Sequence, residues 1–155
     1  MAFAGVSYKA VLAATLVDTA GAGNDWAAAR EAETVVLEVL AVREKLLKAD
    51  DWRLRFARTV LAAAKGELAR LDPGRDGESR RAALRETLRD IEGLVSPLLG
   101  GDMPMPTLAL RLPACMLALA RLHEAVGEFE APGEHQAAAR ALREQVAALR
   151  VRPLD

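Results

Sequence analysis

"LPACMLALARLHEAVGEF", residues 112–129, holds the only cysteine of the chain and one of its two histidines. How it is read decides the fold. Leu112, Cys115, Leu119, Leu122, Val126 and Phe129 alternate at three and four residues, the repeat of an α-helix that turns one stripe toward partner helices. Cys115 lies on that stripe, where a cysteine behaves as a small hydrophobe. A reactive thiolate would need a neighbouring cation or a helix start. Pro113 leaves two boundaries open: the helix starts there, or it begins at Thr107 and kinks. His123 follows Cys115 by eight residues, about 12 Å along a helix axis. The two share a face but do not pair as nucleophile and base within one straight helix. The stripe reads as core, with the His123 imidazole satisfied by a carbonyl or carboxylate.

The same period recurs outward from this stretch. Val35, Val39, Val42 and Leu46, widened by Val36, Leu40 and Leu47, form a second stripe. Ala57, Leu61, Ala64, Leu68 and Leu71 form a third, and Leu84, Leu88, Ile91, Val95 and Leu98 a fourth. Leu142, Val146 and Leu149 mark the last. Between them stand "AGAGND", "ADD", "DPGRDG", "GGDMPMP" and "APG", residues that cap helices or break them. Asn24 or Asp25 can cap the second helix, Asp50 the third, and Ser96-Pro97 stops the fourth. Each helix has one dry face, so the expected fold is all-α, a single compact bundle of five or six amphipathic helices. "GELARLDPG" before "AALRETL" and "GEFEAPG" before "RALREQV" echo each other. They suggest two similar helical hairpins, 52–95 and 108–150.

The totals agree. At 155 residues, with 52% hydrophobic, 28% charged and 4% aromatic residues, the chain suits one folded domain rich in helix formers. A net charge of −1 exerts no global pull on nucleic acid or anionic membrane. Arginine outnumbers lysine, as GC-rich, bacterial codon usage would produce. One cysteine makes no internal disulfide and suits a reducing, cytoplasmic setting. The opening "MAFAGVSYKAVLAATLVDTAGAG" has only a short apolar run, no early basic residue and Asp18 directly after it. It is read as a retained helix, neither a signal nor a membrane span.

Catalytic patterns fail one by one. No glutamate has a histidine three residues later, as a di-iron carboxylate bundle requires, and no phosphate-binding or nucleophile-elbow motif occurs. Glu31, Glu38, Glu86 and Asp90 fall short of the carboxylate ladder of a magnesium-dependent nucleotide pyrophosphohydrolase. Arg81, Arg85 and Arg89 make a basic row, but acidic residues interleave it and read as a salt-bridged surface. Arg43 is different. At 100° per residue it falls inside the arc of Val35, Val36, Val39, Leu40, Leu46 and Leu47, so it must snorkel, pair, or meet a ligand or partner. Leu37 stands on the otherwise polar face of that helix and hints at a contact surface. The expectation is a non-enzymatic protein with no cofactor or metal, acting through a protein partner or self-association. The alternative is a small-molecule binder with an interhelical pocket at Arg43, His123 and Cys115, and a third reading is the magnesium-dependent all-α nucleotide pyrophosphohydrolase.

Overall fold

The computed structural model describes residues 2–74, 76–101 and 103–151. They form seven helices and no strand: α1 Ala2–Gly23, α2 Trp26–Leu46, α3 Trp52–Leu71, α4 Gly77–Leu99, α5 Met105–Leu110, α6 Leu112–Gly127 and α7 Pro132–Arg150. Seven replaces the expected five or six. The extra element comes from Pro113, whose ring lacks an N–H and clashes with the carbonyl four residues back. The helix that begins at Met105 therefore ends at Leu110, Arg111 turns at φ −117° and ψ −41°, and α6 restarts with the proline in its first turn.

The opening stretch lies at the centre of the molecule. In α6 only Leu117, Arg121, Glu124 and Gly127 escape full burial, because α1, α3, α4, α5 and α7 all pack against it. Leu112, Met116 and Leu122 are completely enclosed, each such side chain being worth about 1.5–3 kcal/mol. Alanines Ala10, Ala13 and Ala14 on α1 and Ala57, Ala63 and Ala64 on α3 face this core. α2 packs on α1 and α3, where Lys9 Nζ meets Glu38 2.6 Å away. α7 packs chiefly on α6 and closes the bundle at one side.

The boundaries follow local chemistry. Asn24 takes φ 51°, and Asp25 caps α2 by accepting from the Ala28 N–H at 3.1 Å. The chain does break between α2 and α3, but the cap is Asp51, not Asp50; its carboxylate accepts from the Arg53 N–H at 2.9 Å. Because α2 ends at Leu46, that leucine is 59% exposed instead of lying on the dry stripe, and Leu47 turns inward half-buried. α4 runs through Pro97 to Leu99 and does not stop at Ser96. The bond lost at Pro97 strands only the carbonyl of Gly93, an exposed residue that water can reach. Burial of Leu98 rewards the extra turn.

One buried ion cluster ties four elements. Glu67 on α3 has no exposed side-chain surface and accepts from Arg70 at 3.1 Å and from Arg121 of α6 at 3.2 Å. Arg70 also donates to Asn24 Oδ1 at 3.2 Å, at the α1–α2 junction. The Arg121 guanidinium lies against the end of α1, where a Cβ on Gly21 would fall 1.9 Å from Cζ. A side chain at position 21 would have to displace the Arg121 guanidinium.

Candidate functional site

Two polar arrangements stand out from the packed interior, at opposite helix groups. The first is a cleft of about 470 Å³ between α1, α2, α3 and α5. Its charged lining is Arg43, Arg53 and Arg111, with no acidic residue. Trp52, Phe56 and Leu110 supply apolar walls, and Ser7 and Thr107 lie at its edge. Arg43 reaches this place because it occupies the last turn of α2 on the buried side of the helix. It is 4% exposed. Its Nη1 donates to the Arg53 carbonyl at 2.8 Å, while its Nε is buried and has no hydrogen-bond partner.

The nearest carboxylate is already engaged. Asp51 caps α3 and also takes Arg53 in a two-point pair, Nε to Oδ1 at 3.0 Å and Nη2 to Oδ2 at 2.8 Å. Burial first, and repulsion from Arg53 second, hold the Arg43 guanidinium below its ordinary value, with Asp51 a smaller opposing influence. Hydrogen bonding to Arg53 pulls the Asp51 carboxyl down. A guanidinium stays charged even so. The cleft therefore presents positive charge, part of it dehydrated, beside an aromatic wall.

The second arrangement crosses α4, α6 and α7. His123 Nε2 lies 2.8 Å from Glu92 Oε1, and His123 Nδ1 lies 2.8 Å from Nδ1 of His135. The two rings are 5.1 Å apart at 41°. His135 is half-buried against His123. The reason is the turn. Ala131 takes φ 41° and Pro132 opens α7, which folds α7 back about residue 129 and brings positions 123 and 135 together. Gly127 permits the closeness, since a Cβ there would stand 3.1 Å from Cβ of His135.

The four residues singled out by sequence do not converge. Arg43 lines the cleft, whereas His123 lies in a separate groove beside α7. Cys115 is fully buried in the core, and burial pushes its thiol up to about 12. Leu37 is 49% exposed on α2. Arg53, Arg111, Trp52, Glu92 and His135 were not singled out. Only His135 had a readable signal, its equal distance with His123 from the turn at 129. Of the carboxylates weighed for magnesium, Glu38 pairs with Lys9, and Glu86 and Asp90 line a groove with Glu33, Asp72 and Lys65. Among the described residues, no three His, Cys, Asp or Glu side chains are grouped to hold a metal ion. Among them, too, no helix is long and apolar enough to cross a membrane.

The arginine row of α4 is largely neutralised. Arg81 and Arg85 meet Glu78, and Arg85 also meets Glu130. Both guanidinium groups lie over the Phe129 ring, at 5.5 and 5.2 Å. No protein family, curated protein or solved structure matches this chain.

Proposed function

We propose that this chain is a non-enzymatic binding protein whose recognition site is the cleft around Arg43, and that its occupant carries one anionic group on an apolar body. The observation that carries this reading is the buried Arg43 guanidinium, which lines an open cleft with its Nε unpartnered. A buried donor without a partner costs about 1–3 kcal/mol; an arriving carboxylate offsets the repulsion from Arg53 and recovers that cost only when the guanidinium turns its enclosed Nε toward it. Trp52, Phe56 and Leu110 favour an apolar body over a bare inorganic ion. The volume lies within the range of small-molecule sites.

4-Phenylbutyrate is a suitable probe, with 4-phenylbutanol and inorganic phosphate as controls. The carboxylate raises the melting temperature, and the alcohol and phosphate do not. At a hundredfold excess over Kd the stabilisation is about 2.7 kcal/mol, a shift of roughly 5–10 °C for a chain of this size. The Arg43→Met protein folds, because an apolar side chain replaces a buried charge at little cost, and it loses the response. An equal shift in both proteins, or none in either, rejects the reading.

A second reading is contact with a protein partner, in its simplest form a second copy of the chain. It is favoured by exposed apolar side chains around the same cleft. Leu110, 56% exposed, lines it; Tyr8, 70% exposed, follows Ser7; Leu46 stands one turn beyond Arg43. Light scattering after size exclusion then gives a dimer that Leu46→Glu dissociates. A monomer at high concentration rejects self-association.

A further inference from the structure

The chain Glu92–His123–His135 spans three helices and has a definite proton count. Glu92 as a carboxylate only accepts, so the hydrogen on His123 Nε2 points at it across 2.8 Å. His123 Nδ1 then carries a lone pair when the ring is neutral. The contact of 2.8 Å between the two Nδ1 atoms requires one hydrogen, which must come from His135. The order of donation is His135 to His123 to Glu92. A second hydrogen on the Nδ1 pair leaves two N–H groups face to face, and the contact becomes repulsive. That happens when both rings carry a proton on each nitrogen; with a single added proton His123 Nδ1 donates instead to the Nδ1 lone pair of His135, whose hydrogen moves to Nε2.

The position of α7 makes this matter. α7 rests chiefly on α6, with a smaller contact to α5, and buries only Ala139, Val146 and Leu149. Its other ties are Arg143 to Glu124 and, at the turn, Arg85 to Glu130. Glu124, Arg140, Arg143 and Glu144 line the neighbouring groove of the same helix pair and contain no imidazole. The groups acting electrostatically on His123 are Glu92 from α4 and His135 from α7.

We propose that the histidine pair is an acid-operated clasp: protonation of both His123 and His135 breaks the bond between them and releases α7 from α6, uncovering the apolar strip beneath. Burial, the largest influence, lowers the proton affinity of His123; Glu92 opposes this and His135 adds to it. The sign follows. With its folded value below the ordinary 6.5, His123 in the closed form binds fewer protons than a freed imidazole. Closure is therefore favoured above about pH 6.5 and is lost as the pH falls toward the folded value. For one proton, the open population rises about tenfold per pH unit within that window.

The test uses the full chain between pH 7.5 and 5.5. Amide hydrogen exchange, corrected for the intrinsic pH dependence, follows α7 against α3 and α6. Protection of α7 is expected to fall about tenfold per unit below pH 6.5, with α3 unchanged. His123→Gln removes the buried imidazole and with it the dependence, whereas His135→Gln removes the second charge and weakens it; two variants guard against one that folds poorly. Nitrogen-15 spectra of the wild-type imidazoles at pH 7.5 show hydrogen on Nε2 of His123 and on Nδ1 of His135. Unchanged protection of α7, or acid sensitivity as large as wild type's in either variant, overturns the clasp. The opposite tautomer assignment overturns it as well.

Discussion

Cys115 shows how burial alone sets a residue's chemistry. With no solvent contact, its thiol is held up to about 12 against an ordinary 9.0, and desolvation is the whole cause. The unfolded thiol ionises above about pH 9 while the folded one retains its proton, so the chain loses stability as the pH rises through that interval. The loss is about 1.4 kcal/mol per pH unit. Comparing urea melts of wild type and Cys115→Ala at pH 8 and pH 10 isolates it: the difference between the two proteins narrows or inverts by roughly that amount for each unit above 9. A constant difference would mean that the thiol reaches water. The burial of Cys115 and His123 was legible, because period-three-and-four spacing places them on one stripe. The burial of Glu67 was not. A carboxylate stays buried only with a partner, and within "AAKGELARL" nothing pointed to Arg121, which is 54 residues away.

At the level of elements, periodicity located the long helices α2, α3, α4, α6 and α7, left the boundary at Pro113 open and misjudged Pro97. Proline is disfavoured inside a helix for a stranded carbonyl and a steric clash, and both depend on surroundings. At Pro97 the stranded carbonyl faces solvent, so α4 continues; at Pro113 the helix is interrupted. The cap at Asp51 was off by one residue because adjacent aspartates offer the same oxygen to the same amides. Glycine at 127 carries an element-scale consequence. Gly127→Val places branched carbons where Cβ alone would stand 3.1 Å from His135, forcing the start of α7 outward. Overpacking of this kind costs about 1–3 kcal/mol. The variant melts lower than wild type at pH 7.5, and its imidazole nitrogen-15 signals lose the hydrogen-bonded pattern of the pair. A variant that retains both would show that the turn has slack.

For the whole molecule, the all-helical class followed from composition and stripe spacing, since side chains that lose little freedom in a helix were arranged with one apolar face per segment. What the spacing cannot carry is which stripe meets which. The cleft at Arg43 assembles from Ser7, Arg43, Trp52 and Leu110, positions more than a hundred residues apart at the extremes. Arg43 could be marked as misplaced on its own helix, yet its neighbours Arg53 and Arg111 became visible only when α3 and α5 were set beside it.

The placement of α6 at the centre, with four helices preceding α5 and itself in the chain, has a consequence for biogenesis. A ribosome adding about 5–20 residues per second exposes the inward faces of α1, α3 and α4 for several seconds before the segment they are built to surround has been made. Those faces are adhesive in the interim, and nothing downstream can shield them sooner. Newly made chains should therefore depend on a holding chaperone, or on rapid synthesis, to a degree that the finished bundle would not suggest.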